Sequence, residues 1–355
     1  MKAAVLRDGR IAMDEVPEPV PAAGQVLACP LVCGICGSDL HARDHASHLC
    51  GLLHRAGFRG FMHPARPVVM GHEFCCEIIE PGSSDLPAGA RVVALPFLNG
   101  PDGVELLGYS NPYYGAFPEQ MLLQPEFCLQ VPGHVPTDIA ALAEPLSVAV
   151  HAVAESGAGA DAAYAVVGCG PVGLFVIARL RALGLGPVLA VEPNASRRRM
   201  AGQLGADLVI APQADMAEAW WADLGLPLGL SDAMAADPAS RKRSRAILFD
   251  CVGKPGMLMR IATEAPVGAT IVVVGTCMES DAIEPAFLLQ KSLRLQFVFA
   301  YSPAEFREAF AMICDNPARL SPLITGHGGL ASTSDAFDAL LAGGDAIKIL
   351  INADA

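Results

Sequence analysis

The run AAYAVVGCGPVGLFVIARL, residues 162–180, constrains the fold more than any other stretch of the chain. An apolar segment, Ala163–Val167, leads into Gly168, Gly170 and Gly173 in G-x-G-x-x-G spacing, and Val172–Leu183 follows with helical periodicity. Strand, glycine turn and helix in that order open a βαβ unit. The first glycine permits the tight turn, the second lets the backbone approach a pyrophosphate, and the third lets helix and strand pack closely. Backbone around Gly170, Pro171 and Val172 then faces the phosphates at the helix N-terminus. Glu192 lies 24 residues after Gly168, at the end of the next apolar run, where it can bond the adenosine ribose hydroxyls. A carboxylate there repels a 2′-phosphate and points to NAD over NADP. Arg197 and Arg198 nearby suit either a hydroxyl or a phosphate.

From Leu146 onward, apolar strands alternate with helices. The expected strands are Ala163–Val167, Val188–Glu192, Leu208–Ile210, Ala246–Cys251 and Thr270–Val274, with helices at Val172–Leu183 and Ala195–Leu204. Strands that are apolar throughout imply a parallel sheet covered on both faces. The connection Pro212–Ser240 exceeds the usual length and holds Trp220 and Trp221, so a helical excursion is expected there. Residues 1–150 read differently. Short runs such as Gln25–Val32, Glu77–Glu80, Arg91–Leu95 and Gln120–Leu123 predict an all-β, barrel-like domain, with one rich loop from His41 to Arg66. The last stretch predicts helices at Pro303–Cys314 and Ser334–Leu341 and a final strand, Ala346–Asn352.

A chain of 355 residues is long for one core, and 52% hydrophobic with 17% charged residues is a globular composition. The net charge of −13 disfavours nucleic acid and anionic membranes as partners. The one basic cluster, Arg241–Arg245, reads as a solvated helix end. The N-terminus lacks the apolar core of a signal peptide, and no unbroken apolar run reaches the roughly 18 residues of a membrane span. Eleven cysteines in no paired framework, with Cys75 and Cys76 adjacent on opposite sides of a strand, predict reduced thiols in a cytoplasmic protein.

Three motifs carry reactive side chains: CGICGSDLH with Cys36, Ser38, Asp39 and His41; GHE with His72 and Glu73; and EP with Glu144 and Pro145. Each residue alone has a bland reading. Cysteines are often simply buried, a lone histidine is often satisfied by the core or by solvent, and Glu144 can start a helix. Together, a thiolate, an imidazole and a carboxylate suit zinc with one open position, and open zinc beside a dinucleotide site suggests hydride transfer between an alcohol and a nicotinamide.

These motifs resemble those of the zinc-dependent medium-chain alcohol dehydrogenases, in the branch with polyol and threonine dehydrogenases. The resemblance extends to FDCVG (Phe249–Gly253), VVVGTCM (Val272–Met278) and AIKILI (Ala346–Ile351), almost end to end. It implies a GroES-like β-barrel catalytic domain (1–147), a Rossmann doubly wound coenzyme domain (148–297) and a return of 298–355 to the first, with the active site in the cleft between them. Carried over, Cys36, His72 and Glu144 hold one catalytic zinc. Glu73 stands behind it as a supporting group or exchanging ligand, and Asp39 orients His72. An alcohol on such a zinc would have its pKa lowered far toward neutrality, as that of zinc-bound water is. Ser38 would contact the alcohol oxygen, and His41 would pass the proton to solvent through the cofactor ribose. Lys348 is a candidate countercharge for the pyrophosphate, and backbone near Val274–Thr276 and Ala300–Tyr301 would hold the nicotinamide carboxamide.

Two departures from the family pattern stand out. No cysteine lies between Cys76 and Cys128, so no structural zinc is expected, and the lobe Pro96–Gly115 must pack through Leu106, Tyr113 and Tyr114. The Cys36–His72 spacing is also long, and the extra residues hold five of nine histidines. His41, His45 and His48 fit one helical face, leaving a second metal site as an alternative to a loop over the substrate mouth. Phe58, Phe61, Met62 and Phe97 suggest an apolar cleft, and Met278 and Phe299 are further candidates to line it. The expected partner is a small alcohol or ketone, and the expected state a homo-oligomer, dimer or tetramer. Two other classes share these features: a zinc-free quinone or enoyl reductase of the same fold, and a non-catalytic NAD-binding protein. Cys36, His72 and Glu144 count against the first, and Ser38, Asp39 and His41 against the second.

Overall fold

Apolar alternation and unbroken apolar runs separate, as expected, into two kinds of sheet. The structure, a computed structural model, describes residues 1–101, 103–212, 214–236 and 242–353. One unit comprises Met1–Pro145 and Pro303–Ala355, the other Leu146–Ser302.

The first unit contains β1 (Lys2–Arg7), β2 (Arg10–Glu15), β3 (Val26–Gly34), β4 (Val68–Val69), β5 (Glu73–Glu80), β6 (Arg91–Ala94), β7 (Phe97–Gly100), β8 (Gly103–Leu106), β9 (Met121–Leu123), β10 (Cys128–Gln130), β17 (Ile324–Gly329) and β18 (Lys348–Asn352). Its main sheet runs β10-β6-β5-β3-β18-β17, with β9 also on β3. The last strand, β18, lies antiparallel to β3 and parallel to β17, so the C-terminal segment completes the N-terminal sheet. Both faces of β5 are covered at its start, which is why Cys75 and Cys76 are both buried.

The segment from His41 is not a loop. Gly37–Arg55 forms a 19-residue helix, α1, with a break in helical geometry at His45. Ala42 and Cys50 are buried, and Ala46, Leu49 and Leu53 pack against the same core. That spacing is a helical stripe, and the burial it provides outweighs the polar histidines on the other face. The lobe packs as β7–β8 followed by Leu107 and Tyr109, both buried, with Leu106, Tyr113 and Tyr114 partly buried on the core.

The second unit holds β11 (Ala162–Val167), β12 (Val188–Val191), β13 (Leu208–Ile210), β14 (Arg245–Asp250), β15 (Thr270–Val273) and β16 (Arg294–Phe297). All pairings are parallel, in the order β13-β12-β11-β14-β15-β16. This is the 3-2-1-4-5-6 order of a doubly wound sheet, whose order reverses beside β11. The expected excursion appears as two helices, Ala214–Asp223 and Leu230–Ala235, anchored by the buried Trp221. Gln213 and Ser240, within that expected excursion, lie outside the described residues, as does Arg241 of the basic cluster. The rest of that cluster is not a helix end. Arg245 opens β14 and grips Asp161 with two bonds, of 2.8 and 2.6 Å, which hold the Asp161 carboxyl well below the usual carboxylate range. Thr137–Glu155 is long and apolar enough to cross a membrane by length and composition, but Asp138 and Glu144 interrupt it and 72% of its most apolar window is buried in the fold.

Candidate active site

Strand register assembles the reactive residues. In the β3–β5 ladder Gly34 pairs with Glu73. Cys36, two residues past Gly34, and His72, one before Glu73, therefore leave the same end of the sheet. Their sulfur and ring nitrogen, with a Glu73 carboxylate oxygen, lie within 4.8 Å of one another. Gly34 is required here, because a Cβ at that position would run into Glu73 Oε2.

The third strand at this end brings an unexpected partner. Leu350 of β18 pairs with Gly34, which places Lys348 beside the cluster. Its buried ammonium donates to Glu73 Oε1 at 2.8 Å, Glu73 Oε2 at 2.6 Å and the Ile35 carbonyl at 3.0 Å. Burial works against the charge on Lys348, but Glu73 and Cys36 outweigh it and raise its pKa. With its donors spent on Glu73 and Ile35, Lys348 is not the pyrophosphate countercharge that its place in AIKILI suggested. Glu144, buried in the first turn of a helix spanning Ala143–Glu155, lies outside the 4.8 Å set, and its charge contributes to raising Lys348.

The donor set fits zinc on chemical grounds. Burial pushes the Cys36 thiol up, Glu73 adds to that, and His72 opposes it. Burial disfavours the His72 imidazolium, but Asp39 and Cys36 prevail and its pKa lies well above the usual range. A protonated thiol and a protonated imidazole are thus crowded into one buried place, which a dication relieves by displacing the protons. His72 Nδ1 is 3.2 Å from Asp39 Oδ1, an ion pair without a hydrogen bond. Asp39 Oδ2 accepts the Cys36 N–H at 2.9 Å, so one buried carboxylate holds the start of α1 and faces His72.

Tyr109 was missed from the sequence. Its ring lies 5.2 Å from both Phe61 and His72, centroid to centroid, and its hydroxyl is 2.8 Å from Ser38 Oγ and from Asp39 Oδ1. Burial, then the Asp39 charge, hold the phenol protonated. Gly108 makes the placement possible: its φ is 86°, and a Cβ would press on the backbone of Gly71 at 2.9 Å. Only that pair of glycines hints at the contact in the sequence. Ser38 is half-buried, and among the described residues no hydrogen bond joins it to His41. His41 is half-buried in α1, and burial, then His45, lower its pKa, with Asp44 opposing. Phe61 and Met62, expected to line a cleft, are in the core instead, while Phe299 is 82% exposed.

In the second unit, Gly168 (φ 89°) turns the chain, and the helix Pro171–Ala182 starts from Gly170. A Cβ on Gly173 would collide with the Gly168 carbonyl, whereas one on Gly170 would meet nothing within 4 Å. The first closeness is helix against strand, and the second leaves open space for a phosphate. Glu192 is buried at the end of β12. Its Oε2 accepts the Cys169 N–H at 2.7 Å and its Oε1 the Asn194 N–H at 2.8 Å. Arg197 bears on Cys169 electrostatically, and Arg198 donates to the Glu192 carbonyl at 2.8 Å. Val274, just past β15, donates its N–H to the Asp250 carbonyl at 3.0 Å.

A doubly wound sheet with this turn, together with a thiol–imidazole–carboxylate cluster in a β-rich unit, defines a zinc-dependent dehydrogenase. Residues 22–133 match the alcohol dehydrogenase GroES-like domain and residues 171–315 the zinc-binding dehydrogenase domain. The chain belongs to the zinc-dependent medium-chain dehydrogenases, on their polyol dehydrogenase branch. It is 28% identical over 306 residues, 82% of either chain, to the (R,R)-butanediol dehydrogenase of Bacillus subtilis. It is 24% identical over 371 residues to the sorbitol dehydrogenase of the same organism, covering 99% of this chain and 97% of that one. The crystal structure of 2R,3R-butanediol dehydrogenase from Bacillus subtilis superposes over 99% of both chains with a TM-score of 0.80 at 26% identity. A structure from Sinorhizobium meliloti 1021 bound to NADP does so over 99% of both chains with a TM-score of 0.78 at 27% identity.

Proposed function

We propose that the protein oxidises a secondary alcohol or polyol to the ketone by hydride transfer to NAD, with one zinc held by Cys36, His72 and Glu144. The observation that carries this reading is the convergence of Cys36, His72 and Glu73 within 4.8 Å in a chain of this family, and Glu144, outside that set, is assigned as third ligand on the family resemblance alone. Bound there, zinc supplies a Lewis acid that makes a hydroxyl proton easier to lose. The protein's own groups do the rest. Asp39 holds the start of α1 through the Cys36 N–H and faces His72. Glu73, gripped by Lys348, adds negative charge beside the metal without being free to wander. Ser38 meets the substrate hydroxyl. His41, whose lowered pKa keeps it neutral near pH 7, accepts the proton on its way to solvent. Because Ser38 and His41 are not hydrogen-bonded, a hydroxyl or water must join them.

The turn at Gly168, Gly170 and Gly173 takes the pyrophosphate on the backbone at Gly170, Pro171 and Val172. Glu192 accepts the adenosine ribose hydroxyls, which favours NAD, while Arg197 keeps NADP as the second reading. Val274 supplies backbone for the nicotinamide. A single zinc is expected because the lobe has no cysteines for a four-thiolate set. An exposed edge strand, β16, with Phe297 65% and Phe299 82% exposed, supports a homo-oligomer. The free cysteines support a reducing, cytoplasmic setting.

The test is NADH formation by the purified protein with (R,R)-butane-2,3-diol, sorbitol, threonine and cyclohexanol, NADP+ being run in parallel, alongside metal analysis. Turnover with NAD+, lost together with zinc in Cys36→Ser, is expected. Absence of turnover across the panel, or full activity in Cys36→Ser, would overturn the reading.

A further inference from the structure

A phenol carries one proton, and a carboxylate oxygen only accepts. Tyr109 Oη lies 2.8 Å from both Asp39 Oδ1 and Ser38 Oγ, with Asp39 fully buried. Tyr109 therefore donates to Asp39, and the second bond is one in which the Ser38 hydroxyl donates to Tyr109. With no substrate bound the Ser38 proton points inward, and the lone pairs of its oxygen are left for whatever meets this half-buried residue from outside; when an alcohol proton passes to Ser38, the Ser38 proton leaves outward by the hydroxyl or water that joins it to His41.

We propose that Tyr109 is a positioning residue that fixes the direction of the Ser38 hydroxyl, so that Ser38 meets the reacting alcohol as a hydrogen-bond acceptor. The proposal rests on the alcohol-oxidation reading above. A serine in the first turn of a helix is otherwise free to turn its proton to solvent or to backbone. Tyr109 removes that freedom, and Phe61 and His72 on its ring keep the phenol from swinging away. The same pair has a second setting for the reverse reaction. Tyr109 turns its O–H toward Ser38, and Ser38 donates to the ketone oxygen. Only two hydroxyl protons rotate, and Asp39 Oδ1 is then left facing His72 Nδ1 at 3.2 Å. No other donor to Ser38 stands among the hydrogen bonds of the described residues.

The experiment compares wild type, Tyr109→Phe, Ser38→Ala and the double variant, with butane-2,3-diol, cyclohexanol and sorbitol as probes. It reads kcat and KM separately, zinc content, thermal midpoint, and cyclohexanone binding to the enzyme–NADH complex by NADH fluorescence. Tyr109→Phe keeps the ring contacts and loses only the hydroxyl. It is expected to retain zinc and fold, to lower kcat/KM about tenfold to a hundredfold, mostly in kcat, and to weaken cyclohexanone binding as Ser38→Ala does. The double variant should be no worse than Ser38→Ala. Ser38→Thr, which keeps a hydroxyl, should restore activity over Ser38→Ala only when Tyr109 is intact. Wild-type kcat/KM in Tyr109→Phe, a loss that adds in full to that of Ser38→Ala, or a loss that merely follows zinc and thermal midpoint would overturn the proposal. A wild type that oxidises none of the probes would instead sink the functional reading, and the proposal with it.

Discussion

The Lys348–Glu73 pair sets the sharpest expectation for a single side chain. Both members are buried, and their bonds satisfy the lysine within the protein. Removing one partner of a buried pair strands the other charge, so Lys348→Met should cost about 3–5 kcal/mol in a urea unfolding curve. A loss below about 1 kcal/mol, the scale of an exposed pair, would show that the pair is open to water. His41 gives a prediction in pH. Its pKa is lowered, so the neutral, proton-accepting form survives until the pH drops below the usual histidine value of about 6.5. The acid limb of kcat/KM should fall below that value, and His41→Gln should remove it. The motifs made Cys36 and His72 legible as ligands with Glu73 close behind, because each stands beside a strand end, whereas Glu144, expected as the third ligand, lies outside the 4.8 Å set. Lys348 and Tyr109 were not legible in their observed roles. Their partners lie 275 and about 70 residues away, and such pairings follow from strand register and a glycine contact that spacing does not encode.

Among the elements, the nucleotide turn yields a pair of opposite expectations from two glycines three residues apart. Gly173→Ala forces the helix Pro171–Ala182 off β11 and should destabilise the protein by about 1–3 kcal/mol. Gly170→Ala meets open space and has φ −67°, so the fold should be unchanged while NADH binding weakens. Calorimetric melting and NADH fluorescence separate the two; equal effects on stability would contradict the geometry. The turn was readable because its strand, glycines and helix are contiguous. Helix α1 was not, although Ala42, Ala46, Leu49, Cys50 and Leu53 spell its buried stripe. The histidine-rich stretch from His41 reads as a loop in the sequence, and the tertiary burial of that stripe overrides it. The break at His45 shows where the two tendencies meet.

At the scale of the whole chain, alternation of apolar strands and helices foretold the doubly wound sheet, since parallel strands buried on both faces leave few other solutions. The order β10-β6-β5-β3-β18-β17 was not foretold, because antiparallel strands with short apolar runs admit many pairings. The homo-oligomer proposed above predicts that Phe297→Lys with Phe299→Lys shifts sedimentation from an oligomer to a monomer; an unshifted oligomer would place the interface elsewhere, and a monomeric wild type would remove the oligomer. The insertion of residues 146–302 within the other unit also has a consequence during biosynthesis. The inserted unit emerges from the ribosome unbroken and is free to fold once residue 302 is clear. The unit with Cys36 and His72 must wait for β18 to enter between β3 and β17. At about 5–20 residues per second, the roughly 50 residues from Pro303 to Asn352 take about 3–10 s. Over that interval a nascent chain carries its thiols beside an open sheet edge and has no Lys348 to hold Glu73. The sheet edge that carries Cys36 and His72 is thereby completed only on the arrival of β18.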